Sequence, residues 1–477
     1  MDYIPSTEAN ISPFLTTITP TEYGSITQAV AAGGITPLQI ATAYNIPAST
    51  GANVKVGIIS LGGGWSASDF NKSMGNLGLS ITSANITTVL VDGATGTFTG
   101  GVYDGENTLD LYCVASMVPQ ANIVIYIGQV SGGDFGLGVT WYTNPSTATS
   151  LNAVNGFANV INRAVSENCD VITISYGYPE VLQGGGTKYY CGDFLQGPLA
   201  NAAAKGITVC VSSGDYGSTD TIYSTQITTA EYPATNANAV AVGGTTINLT
   251  ASNTRVAGGE TVVNNPTGPT GWPAGWGSGG GISSFIPVPS WQTGLTANLY
   301  FASNGYSHVS TITGRGVPDI AAPMNGTSYG GAGVNGYAVW FNGSVQFNGG
   351  TSASAPVMAG MFARFISLTG RRPIPNAMHQ ILYGNLNAYY DITTGNNDTV
   401  TTLAGYAASS NWDPVTGVGV PWGNVVYQMV SSGGTTVKTA ANTWSYLANV
   451  RVKTAPTTWS NVKAIWTKTI NGWSQTF

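Results

Sequence analysis

A run of small residues, Gly350-Thr351-Ser352-Ala353-Ser354-Ala355-Pro356, opens directly into the apolar stretch VMAGMFARFISL. Ser352 therefore falls at the start of a buried helix, where free backbone amides and the helix dipole favour developing negative charge. A serine placed there is either an ordinary helix cap or a nucleophile, and a nucleophile needs a base. The chain has two histidines, His308 in GYSHVST and His379 in NAMHQIL. His379 lies in an amphipathic helical pattern and reads as a surface or satisfied core residue. Carboxylates fill the gap. Glu106 and Asp110 in DGENTLD stand at i, i+4, so on a helix both project from one face about 6 Å apart. Like charges so placed cost energy unless they share a proton, which is the shift an acid/base pair uses. The apolar LYCVASMVP that follows sets this reading against that of a solvated acidic face. A third acid, Asp215 in VSSGDYG, follows the apolar ITVCVS and is placed at a strand's carboxyl end; it reads equally as a turn residue.

The elements that must carry these groups follow from periodicity. Val54–Ser60, Asn122–Gly128, Val171–Ser175, Ile207–Ser212 and Ala239–Val242 are short apolar runs, each the size of a buried strand. Between them Val154, Phe157, Ala158, Ile161 and Val165 mark one buried helix face. Buried strands alternating with amphipathic helices predict an α/β fold, a parallel sheet with helices on both faces, whose active residues gather at the carboxyl ends of the strands. Residues 1–34 read as an N-terminal extension, 35–430 as the main domain and 431–436 as a linker. Residues 253–350 read as long polar loops rich in Gly, Pro, Asn and Trp. Beyond the linker a Trp-Ser pair recurs at 444, 459 and 473, predicting two or three short hairpins in a small β module over 437–477.

Composition excludes several classes. Charged residues make up 8% of the chain, against roughly 25% in ordinary soluble domains. The last 64 residues carry five basic and no acidic side chains, leaving ten basic against 21 acidic before them. So weakly charged a surface argues against nucleic-acid binding, which needs a basic patch. Cys113, Cys169, Cys191 and Cys210 lack zinc-ligand spacing; Cys113 and Cys210 lie in apolar runs and read as core thiols. No stretch is long and apolar enough to span a membrane. The start, MDYIPSTEANISPF, lacks the basic and apolar regions of a signal peptide.

Glu106-x-x-x-Asp110, Ser213-Gly214-Asp215 and the Ser352 segment occur in the order and context of the sedolisins, serine-carboxyl peptidases of the subtilisin-like clan. ITPLQIATAYNIP (35–47), VITISYG (171–177), GRGVPDIAAP (314–323) and NWDPVTGVG (411–419) extend the resemblance over about residues 35–430. It implies a subtilisin-like fold and hydrolysis of peptide bonds at acidic pH. Ser352 would attack the carbonyl, Glu106 would take its proton, Asp110 would orient Glu106, and protonated Asp215 would donate in the oxyanion hole. Ser175, Tyr176, Gly177, Ser213 and Gly214 would line the substrate cleft. One calcium ion would be held by Asp391 and Asp413 with the carbonyls of Ile392, Ser409 and Asn411, where the family's Gly-x-Gly-Trp-Asp is replaced by Ser409-Ser410-Asn411-Trp412-Asp413.

Sedolisins are normally made with a long N-terminal prodomain, whereas here a short extension ending at Gly34 precedes the domain: either the prodomain is removed, or it is supplied separately, or this member does without it, and the initiating Met with no signal peptide favours the last. The partners implied are a protein or peptide substrate and, through the C-terminal module, particle or self-assembly partners. The setting expected is extracellular or virion-associated. The competing class is a structural or attachment protein of a phage or virus particle that reuses the fold. A carbohydrate hydrolase using Glu106 and Asp110 fits less well, because two acids one helical turn apart do not flank a sugar ring.

Overall fold

Short runs of β-branched residues ending in glycine or serine build the centre of the molecule. The computed structural model describes residues 12–13, 16–17, 23–129, 143–144, 156–184, 187–219, 227–267, 275–328, 334–400 and 403–433, with six short strands between 436 and 475. The main sheet comprises β1 (Lys55–Leu61), β2 (Ile86–Leu90), β3 (Asn122–Gly128), β4 (Val171–Ile174), β5 (Thr208–Ser212), β6 (Val240–Leu249), β7 (Arg255–Val262) and β8 (Ile320–Thr327). Their order is β7-β6-β5-β4-β1-β3-β2, with β8 also pairing β6. All pairs are parallel except β6 with β7.

Alternation along the central strands divides the core between two layers. Ile123, Ile125 and Ile127 of β3 join one apolar cluster, and Val124 and Tyr126 join the other. Helices α1 (Val102–Met117) and α4 (Thr351–Thr369) cover the first face, while α2 (Gly156–Ser166) and α3 (Gln196–Ala204) cover the second. The doubly covered, mostly parallel sheet is thus what the periodicity predicts, and its subtilisin-like type is what the resemblance implies. Asn122–Gly128 is found as read, Val54–Ser60 lies one residue later as β1, and Ala239–Val242 is the start of the longer β6. The predicted helix is α2; Val154 lies outside the described residues.

Two regions differ from their sequence reading. Residues 253–350 supply β7 and β8 as well as loops. β8 has the sequence IAAPMNGT, poor in β-branched residues, so no strand signal precedes folding. Its Pro323 is tolerated opposite Thr245, where the β6–β8 register shifts. The N-terminal extension is also partly built in. Ser25 caps helix Ile26–Ala31 by accepting from the Gln28 amide at 3.2 Å, and Ile26 and Ala29 are buried in the main core.

Helix Gly423–Ser431 reaches one residue into the expected linker. After it come three antiparallel hairpins, Thr436–Ala440 with Thr443–Tyr446, Arg451–Ala455 with Thr458–Asn461, and Trp466–Thr469 with Gly472–Gln475. Each places a lysine opposite the tryptophan of the Trp-Ser pair: Lys438 with Trp444, Lys453 with Trp459, Lys468 with Trp473.

Helices α1 and α4 cross closely enough that position 360 must be glycine. A Cβ there would meet the Met117 Cβ at 2.4 Å, and the adjacent Arg364 Nε donates to the Met117 carbonyl at 2.7 Å. Gly360→Ala should therefore lower stability by about 1–3 kcal/mol through overpacking. A chemical-denaturation midpoint unchanged from wild type would contradict this contact.

Candidate active site

The nucleophile segment is shaped by two backbone exceptions. Gly350, at the N-cap of α4, has φ of 104°, a conformation that a side chain disfavours. Pro356, inside the first turns, has no amide to donate to the Ser352 carbonyl four residues earlier. The Ser175 hydroxyl approaches that carbonyl at 3.5 Å while donating to Asp110 Oδ1 at 2.8 Å. Ser352, Ser175 and Asp110 are fully buried.

Glu106 and Asp110 project from α1, which is buried from Asp104 to Met117 as the apolar run after them predicts. Asp104 fixes the start of this helix. Its carboxylate accepts from the amides of Gly64 (2.5 Å), Thr99 (2.7 Å) and Gly101 (3.0 Å) and from the Thr99 hydroxyl (2.9 Å). Asn107 donates to the carbonyls of Gly62 and Gly64, tying α1 to the loop after β1. Asp104, Asn107 and Thr351 are positioning residues that the sequence motifs do not single out.

Asp215 follows β5 and meets the first turn of α4. Its Oδ1 accepts from the Thr351 amide at 2.7 Å and the Thr351 hydroxyl at 2.9 Å, one residue before Ser352. The Ser213 hydroxyl and the Gly214 carbonyl are both engaged by Gly279, and the Gly214 amide donates to Thr351 Oγ1 at 3.2 Å. Tyr176 and Gly177 lie on strand Tyr176–Pro179, whose outer edge faces the N-terminal segment.

Ser352, Glu106, Asp110 and Asp215 are thus brought together, all fully buried. Burial, reinforced by the charge of Asp110 and then of Asp215, pushes the Glu106 carboxyl well above its ordinary range, and the nearby Ser352 and Ser175 hydroxyls pull it back in part. Burial likewise raises Asp110, with the Ser175 hydrogen bond opposing. Neither Glu106 oxygen nor Ser352 Oγ makes an aligned hydrogen bond within the protein, although the hydroxyl is near enough to act on the carboxyl.

Both histidines lie elsewhere. His308 is exposed on strand Tyr306–Thr311. His379 is buried at the amino end of the sheet, stacked on Trp291 and 2.9 Å from the Ala239 carbonyl. The four cysteines are buried free thiols.

The expected calcium residues also gather. Asp391 Oδ2 accepts from the Asn411 amide at 2.9 Å, and Asp413 Oδ2 from the Ser409 amide at 2.9 Å. Asn411 takes the left-handed conformation, φ 72°, with its side chain exposed. Asp413 is fully buried, in none of the described ion pairs, and pushed up to about 7 by desolvation against its backbone hydrogen bonds. A buried carboxylate without counter-charge beside a second one fits a hard cation. Among the described residues no group of three or more His, Cys, Asp or Glu could hold a metal, so backbone carbonyls would have to complete the shell.

The subtilase family model matches residues 51–406, three quarters of the chain and all four buried groups. The chain belongs to the subtilase family. Within that clan it is a sedolisin: it is 32% identical over 408 residues to kumamolisin of Bacillus sp. (strain MN-32), covering 84% of this chain and 64% of that one. It is also 29% identical over 417 residues to sedolisin of Pseudomonas sp. (strain 101), covering 84% and 62%. The chain therefore spans a little under two thirds of the length of these relatives. The solved structure of Pseudomonas sedolisin, complexed with two molecules of pseudo-iodotyrostatin, superposes with a TM-score of 0.62 at 24% identity, over 85% of this chain and 100% of that one.

The raised carboxyls of this sedolisin make a stability prediction. A group whose folded value is raised stabilises the fold while protonated and loses that contribution as pH rises through the raised value. Glu106→Gln cannot ionise, so its stability relative to wild type should increase between pH 4 and pH 7. A denaturation-midpoint difference that is constant or falling over that range would contradict the buried acid pair.

Proposed function

We propose that the chain is a serine-carboxyl peptidase hydrolysing protein or peptide substrates at acidic pH. The observation that carries the reading is the placement of the Ser352 hydroxyl against Glu106, backed by Asp110, in a site closed to water. Two buried carboxyls one turn apart hold one proton more readily than none, so one member is a base while the other is an acid.

In the proposed cycle Ser352 Oγ attacks the scissile carbonyl and gives its proton to Glu106. Asp110, oriented by Ser175, accepts or returns charge through Glu106, which then protonates the leaving amine. The N-terminal amides of α4 and a protonated Asp215 stabilise the oxyanion. Water repeats the sequence to release the acyl product. A carboxyl that must be protonated ties activity to acid, because raising the pH empties both Asp215 and the shared position. Tyr176, Gly177 and the Ser213-Gly214 turn line the cleft, and Ser175 serves it from beneath. Denatured protein should be cut at acidic pH by wild type and not by Ser352→Ala, with the rate falling toward neutrality; equal cutting by the variant, or a profile flat to pH 7, would contradict the mechanism.

A calcium ion held by Asp391, Asp413 and the carbonyls of Ile392, Ser409 and Asn411 would neutralise buried Asp413 and brace the loop that ends near β8. Chelation should lower the melting temperature of wild type and leave Asp413→Asn unmoved; an equal response in both would place the effect elsewhere.

A second reading concerns residues 437–477. The Lys–Trp register repeated in three hairpins favours a separate module after the 431–436 linker, suited to attachment to a particle or to other copies. Such a role is compatible with an extracellular or virion-associated peptidase.

A further inference from the structure

The sheet carries a second concave site at the end opposite Ser352. Ser175 and Asp215 lie where β4 and β5 finish, whereas a cavity of about 230 Å³ lies where β5 and β6 begin, at Thr208 and Val240. Ala203 in the last turn of α3, Trp291, and Met378 and His379 of helix Met378–Tyr383 complete its lining. A cavity of about 150 Å³ already admits a benzene ring. This one therefore has room for a ring with a substituent.

The lining is mostly apolar, but three of its polar groups are left unengaged. Thr208 is 3% exposed, and its hydroxyl has no hydrogen-bond partner among the described residues. The buried indole N–H of Trp291 likewise has no acceptor among them. His379 is fixed from one side only. Its Nε2 lies 2.9 Å from the Ala239 carbonyl and 3.4 Å from Asp319 Oδ2, so Nε2 carries the hydrogen and donates. Its Nδ1 is bonded to no described residue. The imidazole stacks on the Trp291 ring, centroids 4.6 Å apart and planes 17° apart, which holds both side chains in place. Nothing in the mechanism proposed for Ser352 uses these groups, and buried polar atoms are otherwise almost always satisfied.

The surrounding charge restricts what can satisfy them. No Lys, Arg, Asp or Glu is among the described residues that line the cavity. Asp319, on the far side of the imidazole, is balanced by Arg315 at 2.6 Å and accepts from the Tyr383 hydroxyl at 2.8 Å. A carboxylate ligand would find no cation of its own there, and an ammonium would find no free carboxylate, so either would be desolvated without compensation. A hydroxyl meets all three groups. Its oxygen accepts from the indole N–H, its hydrogen is free for Thr208 or Nδ1, and Thr208 both donates and accepts. The aliphatic walls and the Met378 thioether suit an aromatic body.

We infer that this cavity is a second ligand-binding site, separate from the buried serine, and that it takes a small neutral phenol. The ring lies against Val240 and Met378, and the hydroxyl is held by Thr208, Trp291 and His379. Such a ligand does not compete with a peptide at Ser352, because the two sites are at opposite ends of β5. The inference does not rest on the peptidase reading.

Isothermal titration calorimetry of the full chain with p-cresol, toluene and 4-methylbenzoate at one fixed pH tests it. The expected result is saturable one-to-one binding of p-cresol, with toluene and 4-methylbenzoate each at least about tenfold weaker, as the loss of one buried hydrogen bond implies. Thr208→Val keeps the shape and removes the unengaged hydroxyl. It should leave the denaturation midpoint equal to wild type or higher while weakening p-cresol about tenfold. Trp291→Phe should weaken p-cresol and leave toluene unchanged, and Ser352→Ala should bind p-cresol as wild type does. Equal affinity for p-cresol and toluene, or for p-cresol and its carboxylate analogue, would overturn the assignment. So would undiminished p-cresol binding by both Thr208→Val and Trp291→Phe, loss of binding in Ser352→Ala, or no saturable heat up to the solubility limit of p-cresol.

Discussion

Two carboxyl groups are held without a counter-charge in an apolar interior, and most of the site follows from that. Removing an ionised carboxylate from water is expensive, so Glu106 and Asp110 respond by keeping protons that exposed acids would release. The cost is tolerable because Ser175 donates to Asp110 and because the pair needs to hold only part of its charge at once. A base made this way is strong only while the surroundings stay dry. The same burial that raises the carboxyls also keeps Ser352 away from competing water.

Dryness in turn depends on helix packing. α1 carries the acids and α4 carries the serine, and both lie on one face of the sheet. Their separation is set by contacts remote from the chemistry, at Gly360, Met117 and Arg364. The start of α1 is pinned by Asp104 and Asn107 to the glycine loop after β1, and the start of α4 is pinned by Thr351 to Asp215. The four chemical groups therefore come from three segments that only the assembled sheet brings together. The carboxyl ends of β4 and β5 deliver Ser175 and Asp215 to the same place, as a parallel sheet does.

Much of this was legible in the residues. Asn122–Gly128 is apolar enough to read as a buried strand at its true bounds, and the acid pair at 106 and 110 declared itself by lying next to LYCVASMVP. β8 was not legible, because IAAPMNGT has neither alternation nor β-branched residues, and its place is dictated by the long partner β6. The roles of Thr351, Asp104 and Asn107 were hidden for a different reason. Beside the local bonds of Asp104 to Thr99 and Gly101, their partners at Gly62, Gly64 and Asp215 lie forty or more residues away, and such pairings leave no local spacing to read. Ser175 was legible as part of VITISYG, but its hydrogen bond to Asp110 belongs to the fold. The extension at 12–17 has no periodicity, and its pairings are specified by the edges it meets.

The claim at the centre is that Glu106 and Asp110 share protons beneath Ser352, and infrared spectroscopy of the protein labelled with ¹³C at its Glu and Asp carboxyls measures this most directly. The account predicts a protonated-carboxyl band that persists to near-neutral pH in wild type and is missing or shifted in Glu106→Gln and Asp110→Asn. A protonated-carboxyl band near neutral pH that is the same in wild type, Glu106→Gln and Asp110→Asn would contradict it.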